Sequence, residues 1–256
     1  MAPLRVVVNA DDLGLSRTVN DAVFAAVDAG LCTAASLLAV GPAVEDALRR
    51  ARGRDMPVGV HLALTEMAPL TGGLRHLLAP DGTFGPRAFM DVGEADADAV
   101  LAEWAAQVDR VRQAGLVVDH LDSHQHVHHR PALRRVLAEL CARVGVLRVR
   151  GMGAFRVAGA GTRVGRALQP LRAATFRRRL RADGLVTTDG FASVTAFLAR
   201  ARGPLGPMRG WRTIELMAHP GNSAHAVYAE EIDALARGDL ERLPFEVRRI
   251  GWAEVT

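Results

Sequence analysis

The sequence predicts a parallel α/β fold, either a barrel or an open sheet, and three observations predict it. Short β-branched runs alternate with helix-periodic stretches. Four of the apolar runs end in His, Asp or Glu. No internal repeat or domain linker divides residues 1–256, which read as a single domain. Strands alternating with helices imply βαβ units. In such units the C-terminal strand ends share one side of the sheet, and that side carries the active site.

The elements follow in order. Residues 4–9 (Leu-Arg-Val-Val-Val-Asn) read as a buried strand and 21–29 as part of a helix. A weaker strand at 35–40 precedes a helix at 43–52, and 58–64 reads as the next strand. A long helix spans 95–114, followed by a strand at 116–122. Residues 131–144 form a helix with Pro131 in its first turn, where proline is tolerated. The remaining strands are 146–150, 213–218 and 245–250, and the remaining helices 164–181, 194–202 and 226–237. Residues 65–93 are rich in Pro and Gly, and a loop of that length in a compact domain is usually functional. It reads as a substrate wall, a lid or a homodimer contact. An exposed Trp104 or Met67 would favour the dimer contact. Residues 151–161 are a second Gly-rich stretch.

Composition narrows the function classes. With 49% hydrophobic and 23% charged residues, the chain of 256 is globular, neither disordered nor fibrous. Two cysteines, Cys32 and Cys141, are too few for a disulfide framework and read as core residues of a reducing compartment. No apolar run reaches the ~20 residues of a membrane span. The first residues enter a strand without a charged and apolar leader, so the expected location is cytoplasmic.

All 32 cations are Arg. Residues 148–212 hold 14 of them against Asp183 and Asp189, a local charge of +12 in a chain of +4. This stretch reads as a solvated helix face, or as a surface for an anionic substrate or peripheral contact with membrane headgroups. It has few aromatics and no nucleic-acid motif, so nucleic acid is not an expected partner.

The chemistry sits where the runs end. They carry Asp11 and Asp12, then His61, then His124, His126 and His128, then Glu215 and His219. A shared sheet edge brings Asp11, Asp12, His61, His124, His126 and His219 to one mouth. Two imidazoles and a carboxylate suit one divalent metal ion, and Zn²⁺, Ni²⁺, Co²⁺ and Mg²⁺ all remain open. Such a centre activates water and polarises a carbonyl. A carboxylate beside it can take the water's proton and a His opposite can protonate a leaving amine. Each group also has a plainer reading. Asp11–Asp12 can start a turn, His219 can shape one before Pro220–Gly221, and Glu215 can line the mouth or pair with an Arg. If residues 124–128 are extended, His124, His126 and His128 share a face.

Asn9-Ala-Asp-Asp-Leu-Gly-Leu-Ser16, Gly59-Val-His-Leu62, His120-Leu-Asp-Ser-His124 and Glu215-Leu-Met-Ala-His-Pro-Gly221 together resemble the YdjC-like carbohydrate deacetylase family. The resemblance implies a distorted (β/α) barrel of TIM-like type, related to polysaccharide deacetylases. It implies a divalent metal and deacetylation of N-acetylated sugars, such as chitooligosaccharides. Asp12 would be the metal carboxylate, His61 and His124 the metal imidazoles, Asp11 the base and His219 the acid. His126, Arg148 and Glu215 would sit near the substrate. Leu13 and Gln125 depart from the family's usual residues. One branch of the family is associated with hopanoid lipid biosynthesis, and the Arg-rich stretch would suit a sugar-lipid substrate. A metal-dependent hydrolase of another amide or a phosphoester would use the same ligands, and a non-catalytic sugar- or lipid-binding barrel is the third reading.

Overall fold

A computed structural model describes residues 2–54, 56–153, 163–202, 208 and 210–256. Strand β1 (Leu4–Leu13) is its hub. Val6, Val7, Val8 and Ala10 are fully buried, as a strand covered on both faces requires. Ser16 caps helix α1 (Arg17–Asp28), its hydroxyl accepting from the Val19 amide at 3.1 Å. The next elements are β2 (Ala34–Leu37), α2 (Val44–Ala51) and β3 (Val58–Leu62). A long excursion with three short 3₁₀ turns leads to α3 (Ala97–Gln113) and β4 (Val118–Ser123). Helix α4 (Pro131–Val144) opens on Pro131 and stops at Gly145, whose φ of +69° a side chain would strain. Then come α5 (Arg163–Ala182), β5 (Gly190–Ser193), α6 (Val194–Ala201), β6 (Thr213–Ala218), α7 (Val227–Ala236) and β7 (Val247–Arg249).

All strand pairings are parallel, in the order β4-β3-β2-β1-β6-β5, with β7 added at the lower end of β1. The two ends of this order are joined. Leu121 of β4 bridges Val149, and Arg148 bridges Val186, just upstream of β5. The sheet therefore closes on itself, and the fold is a distorted (β/α) barrel of TIM-like type. The expected strand at 146–150 survives only as these two bridges. Strand β5 was not foreseen: Gly-Phe-Ala-Ser has too little β-branching to stand out. The Gly-rich stretch at 151–161 lies outside the described residues from 154 onward.

Helix α5 buries Gln169, Ala173, Phe176 and Leu180 and turns Leu168, Leu171, Arg172, Arg178 and Arg179 outward. Trp104 and Met67 are buried, which removes the support they would have lent to a dimer contact. Both cysteines are free and buried, and burial pushes each thiol up to about 12. Among the described residues no helix is long and apolar enough to cross a membrane.

The barrel interior is unusual in being polar. Such interiors are normally filled by branched aliphatics, but here Asn9, Ser36, His120, Asp122, Arg150 and Glu215 are all fully buried. Below them Trp252 stacks on His120 with ring centroids 4.8 Å apart. A Cβ at Gly59 would stand 2.3 Å from His120 Nε2, so only glycine admits that ring.

Candidate metal centre and its acid–base flanks

In a regular strand Asp11 and Asp12 would point to opposite faces. The β1–β2 register slips between Ala10 and Leu13, and Asp12 adopts φ +68°. This bulge re-aims the pair, so that Asp11 faces the barrel axis and Asp12 the mouth. Asp12 Oδ1 lies 3.2 Å from His124 Nδ1 and 3.6 Å from His61 Nε2. One donor atom from each of the three residues lies within 4.8 Å of the other two. The three come from the ends of β1, β3 and β4, as the strand-end pattern requires.

Each donor is also held from behind. His61 Nδ1 lies 2.8 Å from Asp122 Oδ1 and, facing a carboxylate, is the protonated nitrogen, which leaves Nε2 free to ligate. His124 Nε2 meets Glu66 Oε2 at 3.1 Å. Burial disfavours the Asp12 carboxylate, but the bond to His124 and the nearby imidazoles outweigh it and hold the group below the usual range. An ionised carboxylate with His61 Nε2 and His124 Nδ1 turned toward its Oδ1 offers three donor atoms that fit a divalent cation.

Beneath this centre lies a buried ionic cluster. The Arg150 guanidinium grips Asp11 in a two-pronged bond, Nη2 to Oδ1 at 2.6 Å and Nη1 to Oδ2 at 2.7 Å. It also donates from Nε to Glu215 Oε1 at 2.7 Å and pairs with Asp122 Oδ2 at 2.7 Å. Burial alone would raise Asp11, yet Arg150 holds it far below the carboxylate range. Asp122 is lowered in the same way. Three acids on one cation leave the third underserved. Burial, with Asp122 and Asp11 adding to it, pushes Glu215 up from 4.5 to about 7 against the pull of Arg150. Its Oε2 is buried without a hydrogen-bond partner, which is where a proton would sit.

This makes stability depend on pH in a defined direction. Between about 4.5 and about 7 the folded chain holds a proton on Glu215 that the unfolded chain has released. That contribution is complete below 4.5 and is lost as pH rises through 7. Asp11 and Asp122 act oppositely, losing their contribution as pH falls below the usual carboxylate range. Burial lowers His126, His128 and His129, and these oppose Glu215 across part of this range. In denaturant unfolding between pH 5 and pH 8, Glu215→Gln should therefore differ from the parent by lacking the component of stability that Glu215 makes fall with rising pH. An unchanged slope in the variant would place the proton elsewhere.

His219 stands at the end of β6. Its Nδ1 is 3.0 Å from Glu231 Oε2, its ring stacks on Tyr228 at 3.9 Å, and Glu231 also accepts from its backbone amide. Burial disfavours the imidazolium, but the bond to Glu231 and the charge of Asp11 overcome that and raise His219. With Nδ1 turned to Glu231, Nε2 is the nitrogen left for a substrate.

Three expected site residues, Arg148, His126 and Glu215, lie elsewhere than the sequence suggested. The Arg148 guanidinium reaches away to the Ala253 carbonyl at 3.4 Å, and Arg150 occupies the site. Both lie on one period-2 face, but Arg148 is lower and Arg150 is at the strand end. The strand-end rule applied to this run would have chosen correctly. Residues 124–129 are not extended either. Gln125 (φ +53°) and His126 (φ +55°) turn the chain, so the three histidines do not share a face. His124 alone joins Asp12. His126 packs on His129 and Phe191, with Nδ1 buried and unpartnered, and His128 bonds Ser123 and the Arg150 carbonyl. Glu215 pairs with Arg150, one of its two sequence readings; fully buried beneath the centre, it does not line the mouth or reach a substrate. Missed altogether were Glu66, Arg150 and Glu231. For Glu231, on a helix 12 residues beyond its partner, no local signal exists.

Comparison with known proteins follows the same outline. Residues 5–244 match the model of the YdjC-like protein family. The chain is 35% identical over 246 residues to a carbohydrate deacetylase of Mus musculus, covering 85% of this chain and 78% of that protein. It is 32% identical over 139 residues to a carbohydrate deacetylase of Oceanobacillus iheyensis, covering 54% of this chain and 60% of the relative's length. A solved structure from Enterococcus faecalis V583, described as a candidate cellobiose-phosphate cleavage protein, superposes with a TM-score of 0.75 over 98% of both chains at 19% identity, which is a likeness of fold. A match spanning nearly every element of the barrel, and every strand end that carries the site, makes this chain a member of the YdjC-like family.

Proposed function

We propose that the chain is a metal-dependent carbohydrate deacetylase that hydrolyses the acetamido group of an N-acetylated sugar. The observation that carries the reading is the convergence of Asp12, His61 and His124 between an Arg-held carboxylate and a Glu-held imidazole. The names of the curated relatives support the same reaction.

Asp12, His61 and His124 would hold the divalent ion, which when bound supplies a Lewis acid for the acetyl oxygen and lowers the pKa of water. Asp11, kept ionised and oriented by Arg150 and by Asn9 Nδ2 at 2.8 Å, accepts the proton of the attacking water. His219, raised by Glu231 and so biased to its protonated form, gives its Nε2 proton to the departing amine as the C–N bond breaks. One water is consumed, and acetate and the free amine leave.

The substrate class is tested separately. A groove of about 550 Å³ between α4 and α5, lined by Pro131, Arg134, Leu168, Leu171, Arg172 and Phe176, suits an amphiphilic aglycone as well as a saccharide. The deciding experiment is acetate release from N-acetylglucosamine oligomers and from an N-acetylglucosaminyl lipid. The chain is stripped of metal and then supplied with Zn²⁺, Co²⁺, Ni²⁺ or Mg²⁺. Metal-dependent release is the expected result, and the preferred substrate tells a saccharide from a sugar-lipid. Metal bound at one equivalent with no acetate from any substrate would refute the reading.

A further inference from the structure

We propose that Asn222 is a positioning residue for the metal centre, holding one oxygen of Asp12 so that the other faces the ion. The inference rests on the metal-site reading above and adds a residue to it.

Asn222 Nδ2 donates to Asp12 Oδ2 at 2.8 Å, and Asp12 Oδ1 is the oxygen turned to His124 and His61. A carboxylate with both oxygens free rotates about its last bond. With Oδ2 engaged, the rotation is stopped and Oδ1 is the oxygen presented to the cation. The constraint matters more here than at an ordinary residue, because Asp12 lies at φ +68° on a bulge and its backbone is not held by a regular ladder.

Asn222 is itself fixed in the right sense. Its Oδ1 accepts from the Ala224 amide at 2.9 Å, an Asx turn that decides which end of the amide is the donor. Its backbone amide donates to the His219 carbonyl at 3.3 Å. The preceding Gly221, at φ +69°, packs so closely on α1 that a Cβ would stand 2.7 Å from Ala22 Cβ and 2.8 Å from the Thr18 carbonyl oxygen. The turn is therefore pressed against the barrel, and it carries both the residue that holds Asp12 and His219. With Asp122 behind His61 and Glu66 behind His124, each ligand then has one outer partner. Asn222 is the neutral one of the three, so it orients Asp12 without competing for the ion's charge.

The test measures Zn²⁺ affinity of the full chain by competition with a chromophoric chelator, for the parent, Asn222→Ala, Asn222→Ser and His61→Ala. Serine retains an oxygen that can cap the turn at Ala224 but is too short to reach Asp12. Both Asn222 variants should bind Zn²⁺ about 10–100-fold more weakly. Thermal unfolding of the metal-free Asn222→Ser chain should match the parent. Asn222→Ser affinity within about twofold of the parent, with His61→Ala impaired, would overturn the positioning role and leave the metal site standing. A fall in metal-free stability that accounts for all the lost affinity would make Asn222 merely structural. If the parent binds no Zn²⁺, or binds it as well after His61→Ala, both the site reading and this proposal fall.

Discussion

Arg150→Met should unfold the chain near neutral pH or leave it severely destabilised. Arg150 is fully buried and is the shared cation of Asp11, Asp122 and Glu215. Removing it leaves two ionised carboxylates and a third of raised pKa in a low-dielectric interior. Breaking a buried ion pair by deleting one partner typically costs about 3–5 kcal/mol, against a total stability of roughly 5–15 kcal/mol for a domain. The loss should be partly relieved at pH 5, where Glu215 is neutral in both variant and parent. Arg150→Lys retains the charge but not the fork that grips both oxygens of Asp11, so it should fold better than Arg150→Met. Urea midpoints at pH 5 and pH 8 measure all of this. Equal stability of Arg150→Met and parent at pH 8 would show that the three acids are not held as an ionic cluster.

His219→Ala should lower turnover by about 10²–10⁴-fold while metal content stays at the parent level. Its Nδ1 is committed to Glu231 and it is not one of the converging donors, so its removal takes a proton source and spares the ligands. His61→Ala and His124→Ala should instead lose metal and activity together. Metal analysis alongside acetate release separates the two patterns. A His219→Ala chain that keeps full turnover on an active substrate would end the acid assignment. One that loses metal would move His219 into the ligand set.

Much of this molecule can be read in one dimension. The alternation of β-branched runs with helical stretches is enough for a parallel α/β fold, since each run records its own burial. The placement of Asp11–Asp12, His61, His124 and His219 at the ends of those runs is enough to put them at one mouth, because parallel strands all finish on the same side. The barrel's closure was beyond reach. It rests on single bridges at Val149 and Val186, which leave no periodic trace.

The partners were decided by folding. Asp11 and Asp12 act differently because a bulge turns one toward Arg150 and the other toward the histidines. His126 leaves the face of His124 because two left-handed residues interrupt the segment that alternation would have kept extended. Arg150 meets the acids and Arg148 does not, because Arg150 ends its run; the run's bounds hold that much, but which three carboxylates converge on it is set by the neighbouring strands. Glu231 meets His219 from α7, and Asn222 meets Asp12 from a turn that packs on α1 at Gly221. Periodicity is a property of neighbours along the chain, whereas orientation at the mouth is set by contacts between segments as much as 210 residues apart.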